Sequence, residues 1–162
     1  MVASEVSTRI RRARVADLPA ILDLLDELRE GATPGIPWDR GDPLWTATVW
    51  EEILTDPRRM YLVAEEDDRL VGTVDLVIVP NLTHGARPIG FVENMVVTAD
   101  RRGDGIGRSL IADVMARARA EGCYKVQLLS ANGRERAHSF YEELGFEASS
   151  RGYRRYLIGE RS

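Results

Sequence analysis

Apolar positions in this chain alternate between two periods, and the switches between them divide it into elements. Thr8–Val15 has the short β-rich pattern of a first strand, with its arginines marking one solvated face. Leu18, Ile21, Leu22, Leu25 and Leu28 then recur at helical spacing, with Asp17 and Pro19 at the start and Gly31 at the end. Thr33–Pro43 is irregular, rich in proline and glycine, and carries Trp38. A short helix carrying Trp45, Val49 and Ile53 is predicted over Leu44–Leu54, stopped before Pro57. Met60–Glu66 and Leu70–Val79 read as strands joined by a tight Asp67-Asp68 turn, an antiparallel hairpin. After the Pro80–Pro88 loop, the apolar run from Phe91 to Val97 predicts a buried strand.

The second half repeats this alternation. Ile106, Leu110, Ile111, Val114, Met115 and Ala118 lie on one face of a helix that stops at Gly122. Tyr124–Leu129 is a strand, Arg134–Leu144 a helix closed by Gly145, and Phe146–Ala148 and Tyr153–Ile158 two closing strands. The order predicts an α/β (α+β) fold with a mixed central sheet of about seven strands and about four helices. Its one clear crossover joins the strand before residue 98 to that after residue 123. That parallel pair could splay and admit an extended ligand arm.

Composition narrows the function. At 162 residues, positions 1–162 are expected to form a single domain. A net charge of −4 argues against a general nucleic-acid binder. Cys123 is the one cysteine, so no internal disulfide is possible, and His84 and His138 are too few for a zinc motif. No apolar run approaches membrane-spanning length, and Met1–Thr8 lacks the apolar core of a signal peptide, so a cytoplasmic location is expected.

The informative chemistry lies between the parallel strands. Gly103, Gly105 and Gly107 alternate among Arg101, Arg102 and Arg108, between a strand and a helix. Such a turn aims backbone N–H groups and a helix dipole at one point, and so favours a phosphate. The spacing fits neither the dinucleotide fingerprint Gly-x-Gly-x-x-Gly nor a P-loop, because Gly103 and Gly107 enclose three residues and Arg108-Ser109 follows. Arg102-x-x-Gly105-x-Gly107 is what remains. A glycine-rich connection without a ligand is the plain alternative.

That pattern resembles the pyrophosphate-binding turn of the GNAT superfamily of N-acetyltransferases, which use acetyl-coenzyme A. Phe140-Tyr141-Glu142-Glu143-Leu144-Gly145-Phe146 resembles the family's second signature, Phe-Tyr-x-x-x-Gly-Phe, and the element order is similar throughout the chain. Gly90–Val97 and Gly122–Lys125 look most like the glucosamine-6-phosphate N-acetyltransferase branch, and the C-terminal part is also similar to aminoalkylphosphonate N-acetyltransferases. The resemblance implies a bulge at Met95, Val96 and Val97 whose backbone binds pantetheine and thioester. It further implies a pyrophosphate cradle of Arg102, Gly103, Asp104, Gly105, Ile106, Gly107 and Arg108, with Arg108 alternatively paired to Asp104 or Asp113 on the surface. Where many members place an asparagine contacting the cofactor arm, this chain has Arg134, with Asn132 two residues earlier.

Amine acetylation needs a neutral amine, a polarised thioester and a proton donor for the departing thiolate. Tyr141 is the candidate general acid and a cofactor contact; its alternative is an aromatic packing with Phe140 and Phe146. Glu93, in an apolar strand where a free charge is costly, is either the base or a structural carboxylate. Cys123 at a helix–strand junction reads as packing and not as an acetyl carrier. The acceptor site is expected in Thr33–Pro43 and Pro80–Pro88, with Trp38, Asp39, Asp42, Asn81, His84 and Arg87 offering stacking and charge. Three readings follow: acetyl-CoA-dependent acetylation of a small amine by direct transfer, acetylation of a protein amine, and an acetyl-CoA-binding module without turnover. No metal, nucleic acid or membrane partner is implied. A homodimer through the edge of Tyr153–Ile158 is expected.

Overall fold

The computed structural model describes residues 7–31 and 34–158. Its elements are β1 (Arg9–Arg12), α1 (Leu18–Asp26), α2 (Pro43–Thr55), β2 (Arg59–Glu66), β3 (Arg69–Val79), β4 (Ile89–Val97), α3 (Ile106–Ala120), β5 (Lys125–Leu128) and α4 (Glu135–Glu143), with short 3₁₀ turns between some of them. The strands form one sheet in the order β1-β2-β3-β4-β5, antiparallel except for the parallel pair β4–β5. The local chemistry is what makes these elements. Asp67 and Asp68 take φ of 45° and 62°, the left-handed pair that a two-residue hairpin requires and that Asp tolerates. Asp42 caps α2 by accepting from the Leu44 and Trp45 N–H groups, ahead of Pro43.

Side-chain alternation gives the sheet two apolar faces. On one face, Leu62, Val74, Leu76 and Val92 pack under Ile106, Leu110, Ile111 and Val114 of α3. On the other, Tyr61, Val63 and Val96 pack under Ile21 and Leu24 of α1 and Trp50 of α2. Fully burying one such side chain contributes about 1.5–3 kcal/mol, so both helical layers are held by the strands they cover.

The closing strands do not form. The described sheet has five strands, and Phe146–Ala148 and Tyr153–Ile158 join no ladder. The large residues of the last segment, Tyr153, Tyr156, Leu157 and Ile158, do not alternate, so they offer no single face to bury, and Tyr153 and Leu157 stand exposed. The edge expected to pair two copies is therefore not formed there. The first strand is also shorter than Thr8–Val15, because Val15–Asp17 turns into a 3₁₀ helix.

Candidate active site

β4 and β5 pair in register only from Ile89↔Lys125 to Val92↔Leu128. Beyond that point β4 runs on to Val97 while β5 has ended, so the sheet opens along Glu93–Val97. The opening coincides with a bulge. Asp75 faces Glu93 and Thr73 faces Val96, which leaves Asn94 and Met95 together opposite the single residue Val74. Asn94 has a φ of 52°, and asparagine is among the few non-glycine residues that accept it. The extra residue fits the burial pattern: Val96 packs on the α1/α2 face and Met95 against the α3 side.

The glycine turn follows directly. Gly103 and Gly105 have φ of 96° and 83°, and a Cβ on either would meet nothing within 4 Å, so their need is conformational and their surroundings are open. Gly107 differs: a Cβ there would lie 3.1 Å from Phe140 Cζ and 3.4 Å from Met95 Cε, so this glycine lets α4 close on α3. Gly105 is the N-cap of α3 and makes no side-chain cap bond, and the Ser109 N–H is bonded to the Gly105 carbonyl. The N–H groups of Ile106, Gly107 and Arg108 lie ahead of the first such bond and point out of the helix start.

The arginines mostly brace this turn. Arg102 donates from Nε to the Val97 carbonyl at 2.9 Å and from Nη2 to Glu27 at 2.8 Å. Arg101 pairs with Glu66 at 2.9 Å and with Asp104 at 3.4 Å. Arg69 and then Thr98 hold the Asp100 carboxyl down to about 2. Arg108, exposed, lies 3.6 Å from Glu143, not beside Asp104 or Asp113, which pair with Arg101 and Arg117. Its guanidinium is the least engaged near the helix start.

A cleft of about 220 Å³ occupies the opening between β4 and β5. Glu93, Asn94 and Met95 of β4, Ser130 and Ala131 after β5, and Tyr141 of α4 line it, with Trp38 and Leu28 at one side and Arg134 and Arg154 at its rim. The cleft passes through the sheet. Glu93 shares the α1/α2 face with its cross-strand neighbour Asp75, whereas Tyr141 packs with the α3 face. Tyr141 stands edge-on to Phe140 and Phe146, with centroids 5.2 and 5.7 Å away. Burial pushes its phenol above the ordinary value, opposed in part by Arg134.

Several expected residues lie elsewhere or are arranged differently. Glu93 is exposed in the cleft and not enclosed in an apolar strand, because the splay uncovers it. Asn132 sits exposed in the turn before α4 and does not line the cleft, whereas Arg134 does. His84 and Arg87 lie in the loop entering β4, at the opposite end of that strand from the glycine turn, with His84 against Tyr124. Asn81 bonds within the same loop, to Thr83 and Arg87. Asp42 is used as a helix cap and Asp39 accepts from the Gly41 N–H, and among the described residues of that loop it is Trp38 that lines the cleft. Arg154, assigned by pattern to a strand, lines the cleft instead, and the pattern held no signal for it. Cys123 is partly buried, and desolvation followed by Glu121 raises its thiol. That is the reverse of what a nucleophilic cysteine needs. Cys123→Ala should therefore leave kcat within about twofold of the parent, measured as thiol release in saturating substrates.

Comparison with known proteins assigns the class. The sequence model of the Acetyltransferase (GNAT) family matches residues 21–146. The chain is 34% identical over 154 residues to a glucosamine 6-phosphate N-acetyltransferase of Trypanosoma brucei brucei, covering 92% of this chain and 95% of that protein. It is 30% identical to aminoglycoside N(6')-acetyltransferase type 1 of Stenotrophomonas maltophilia, covering 93% and 92%. A solved putative acetyltransferase from Agrobacterium tumefaciens str. C58 superposes with a TM-score of 0.80 at 35% identity, over 92% of this chain and 99% of that one. The chain belongs to the GNAT acetyltransferase family. It is accordingly an acyltransferase of the acetyl-CoA-dependent N-acetyltransferase type. Among the described residues, no helix is long and apolar enough to cross a membrane.

Proposed function

We propose that this chain, as a single domain, transfers acetyl from acetyl-CoA directly to the primary amine of a small molecule bound in the same complex. The observation that carries this reading is the cleft itself: one opening through the sheet with a free carboxylate on one face and a buried phenol on the other. The pyrophosphate sits at the start of α3, on the outward N–H groups of Ile106, Gly107 and Arg108, with Gly103 and Gly105 shaping the approach and Arg108 adding charge. Arg102 and Asp104 serve the turn through their backbone, since their side chains are engaged in bracing it.

The pantetheine arm enters where β5 ends, against the unpaired edge of β4. The bulge at Asn94 and Met95 leaves backbone N–H groups of Met95–Val97 available to the arm and to the thioester carbonyl, where negative charge develops during attack. Glu93 takes a proton from the ammonium form of the acceptor, the freed lone pair attacks the carbonyl carbon, and the C–S bond breaks. Tyr141 protonates the departing sulfur, and a proton is returned to solvent. Arg154 at the rim adds a cationic group to a cleft that holds one carboxylate, which suits an amine that also carries an anionic group, whereas Arg134 stands nearer the Tyr141 phenol. The two relatives reported above, named for an amino-sugar phosphate and for aminoglycosides, support a small-molecule acceptor.

A panel of amines offered with acetyl-CoA, read as free thiol, tests the reading. Thiol release should rise well above hydrolysis for small primary amines and not for peptides. Release with peptide amines alone would move the acceptor class to proteins.

A further inference from the structure

The cleft has a second carboxylate behind it that the sequence pattern did not single out. Asp75 lies in the run Val74-Asp75-Leu76-Val77-Ile78-Val79 and is 0% exposed. Its Oδ2 accepts from Arg59 Nε at 2.8 Å and from Nη2 at 2.5 Å. Its Oδ1 is buried and has no hydrogen-bond partner among the described residues. Leaving a buried acceptor unpaired is costly, and an apolar pair in place of Arg59 and Asp75 would avoid the cost altogether. A group that keeps such a cost calls for a use.

Its position supplies one. Asp75 stands directly opposite Glu93 on the adjacent antiparallel strand, and opposite residues share a face with Cβ atoms about 4.5–5.5 Å apart. Asp75 and Glu93 thus occupy facing positions on one face of the sheet, Asp75 enclosed and Glu93 opening into the cleft. Glu93 extends into the cleft, and in its ionised form it has no proton to offer Asp75. A protonated Glu93 is a donor, and the free Oδ1 is the acceptor beside it. Burial raises the Asp75 carboxyl above its ordinary value, and the two hydrogen bonds from Arg59 oppose that rise and favour the ionised form. The other charged or titratable groups acting at this position are Tyr61, its β2 neighbour, and Asp56 after α2.

We infer that Asp75 is a positioning residue for Glu93: its unpaired oxygen receives the hydrogen bond of Glu93 once Glu93 has taken the proton of the acceptor ammonium. The N–H bond breaks, an O–H bond forms on Glu93, and the new O–H turns back onto Asp75, which withdraws it from the amine and favours the transfer. No electrons change hands, and Glu93 later loses the proton to solvent. This inference rests on the reading of Glu93 as the base.

The test compares two accepted acceptors of one shape, a strongly basic amine and its analogue with fluorines beside the nitrogen, which is already neutral at assay pH. Asp75→Asn should lower kcat/KM for the basic amine by roughly 10–100-fold, a part of the usual contribution of a positioned base. For the fluorinated amine the loss should stay under about threefold, and KM for acetyl-CoA should not move. In a Glu93→Gln background Asp75→Asn should add nothing, because the two act as one unit. Should Asp75→Asn not fold, the paired variant Arg59→Met with Asp75→Leu removes both charges together and must show the same selective loss. Equal losses with both amines, or additive losses with Glu93→Gln, would overturn the inference and leave a structural ion pair. Full activity of Glu93→Gln would overturn the base assignment and this inference with it.

Discussion

Tyr141→Phe should lower kcat by about 10²–10⁴-fold, the usual contribution of a positioned general acid, while KM for acetyl-CoA changes little. α4 brings the phenol to the cleft between Phe140 and Phe146. Phenylalanine keeps both edge-to-face contacts and removes only the oxygen. Burial holds the phenol above its ordinary value of about 10, so it stays protonated through neutral and moderately alkaline pH. The wild-type enzyme should therefore not lose its acid as pH rises from about 6 to about 9, and the deficit of the variant should be flat across that range. Steady-state rates at saturating acetyl-CoA over that range are the check. A variant with full kcat throughout would reduce Tyr141 to packing and leave the thiolate to water.

Gly105→Glu should weaken acetyl-CoA binding by about 100-fold or more, the equivalent of about 2.8 kcal/mol. Two effects act together. The residue caps α3 at a φ of 83°, which costs a side chain about 1–2 kcal/mol. The new carboxylate then stands at the mouth of the outward N–H groups, where it competes with and repels a pyrophosphate. A Cβ at Gly105 meets no atom within 4 Å, so the fold should survive, with the far-ultraviolet spectrum unchanged. Calorimetric titration with acetyl-CoA measures the loss. Unchanged affinity would place the pyrophosphate away from this turn. Gly107→Ala is the informative contrast, because its methyl meets Phe140 and not the ligand space; it should cost stability, by about 1 kcal/mol, before affinity.

Much of this arrangement is legible in the chain because it is locally encoded. The hairpin is written in Asp67-Asp68, the ends of α3 in Gly105 and Gly122, and the faces of the helices in their spacing. The glycine turn and Tyr141 are legible too, since both depend on short motifs. What the pattern misjudges depends on partners distant in sequence. The segment Tyr153–Ile158 has β-forming residues but no alternation, and a strand exists only through a partner edge. Glu93 stands among apolar neighbours in sequence, and what opens it to the cleft is the end of β5 at Leu128, which the local pattern does not show. That residue 107 must lack a side chain is set by Phe140, thirty-three residues away along the chain, which no short motif shows. Asp75 is a single acid inside an apolar run of β3, which is costly unless paired, and its partner Arg59 lies sixteen residues away on β2.

The central claim is that acetyl crosses the cleft in one step, from the thioester on the Tyr141 side to the amine on the Glu93 side. A matrix of initial rates, with acetyl-CoA and an accepted amine both varied and thiol release recorded, addresses it most directly. Direct transfer predicts reciprocal plots that intersect, thiol release that requires the amine, and no acetylated protein by mass spectrometry after acetyl-CoA alone. Parallel plots with a stable acetyl adduct on the protein, lost in Cys123→Ala, would contradict it and make the cysteine the carrier.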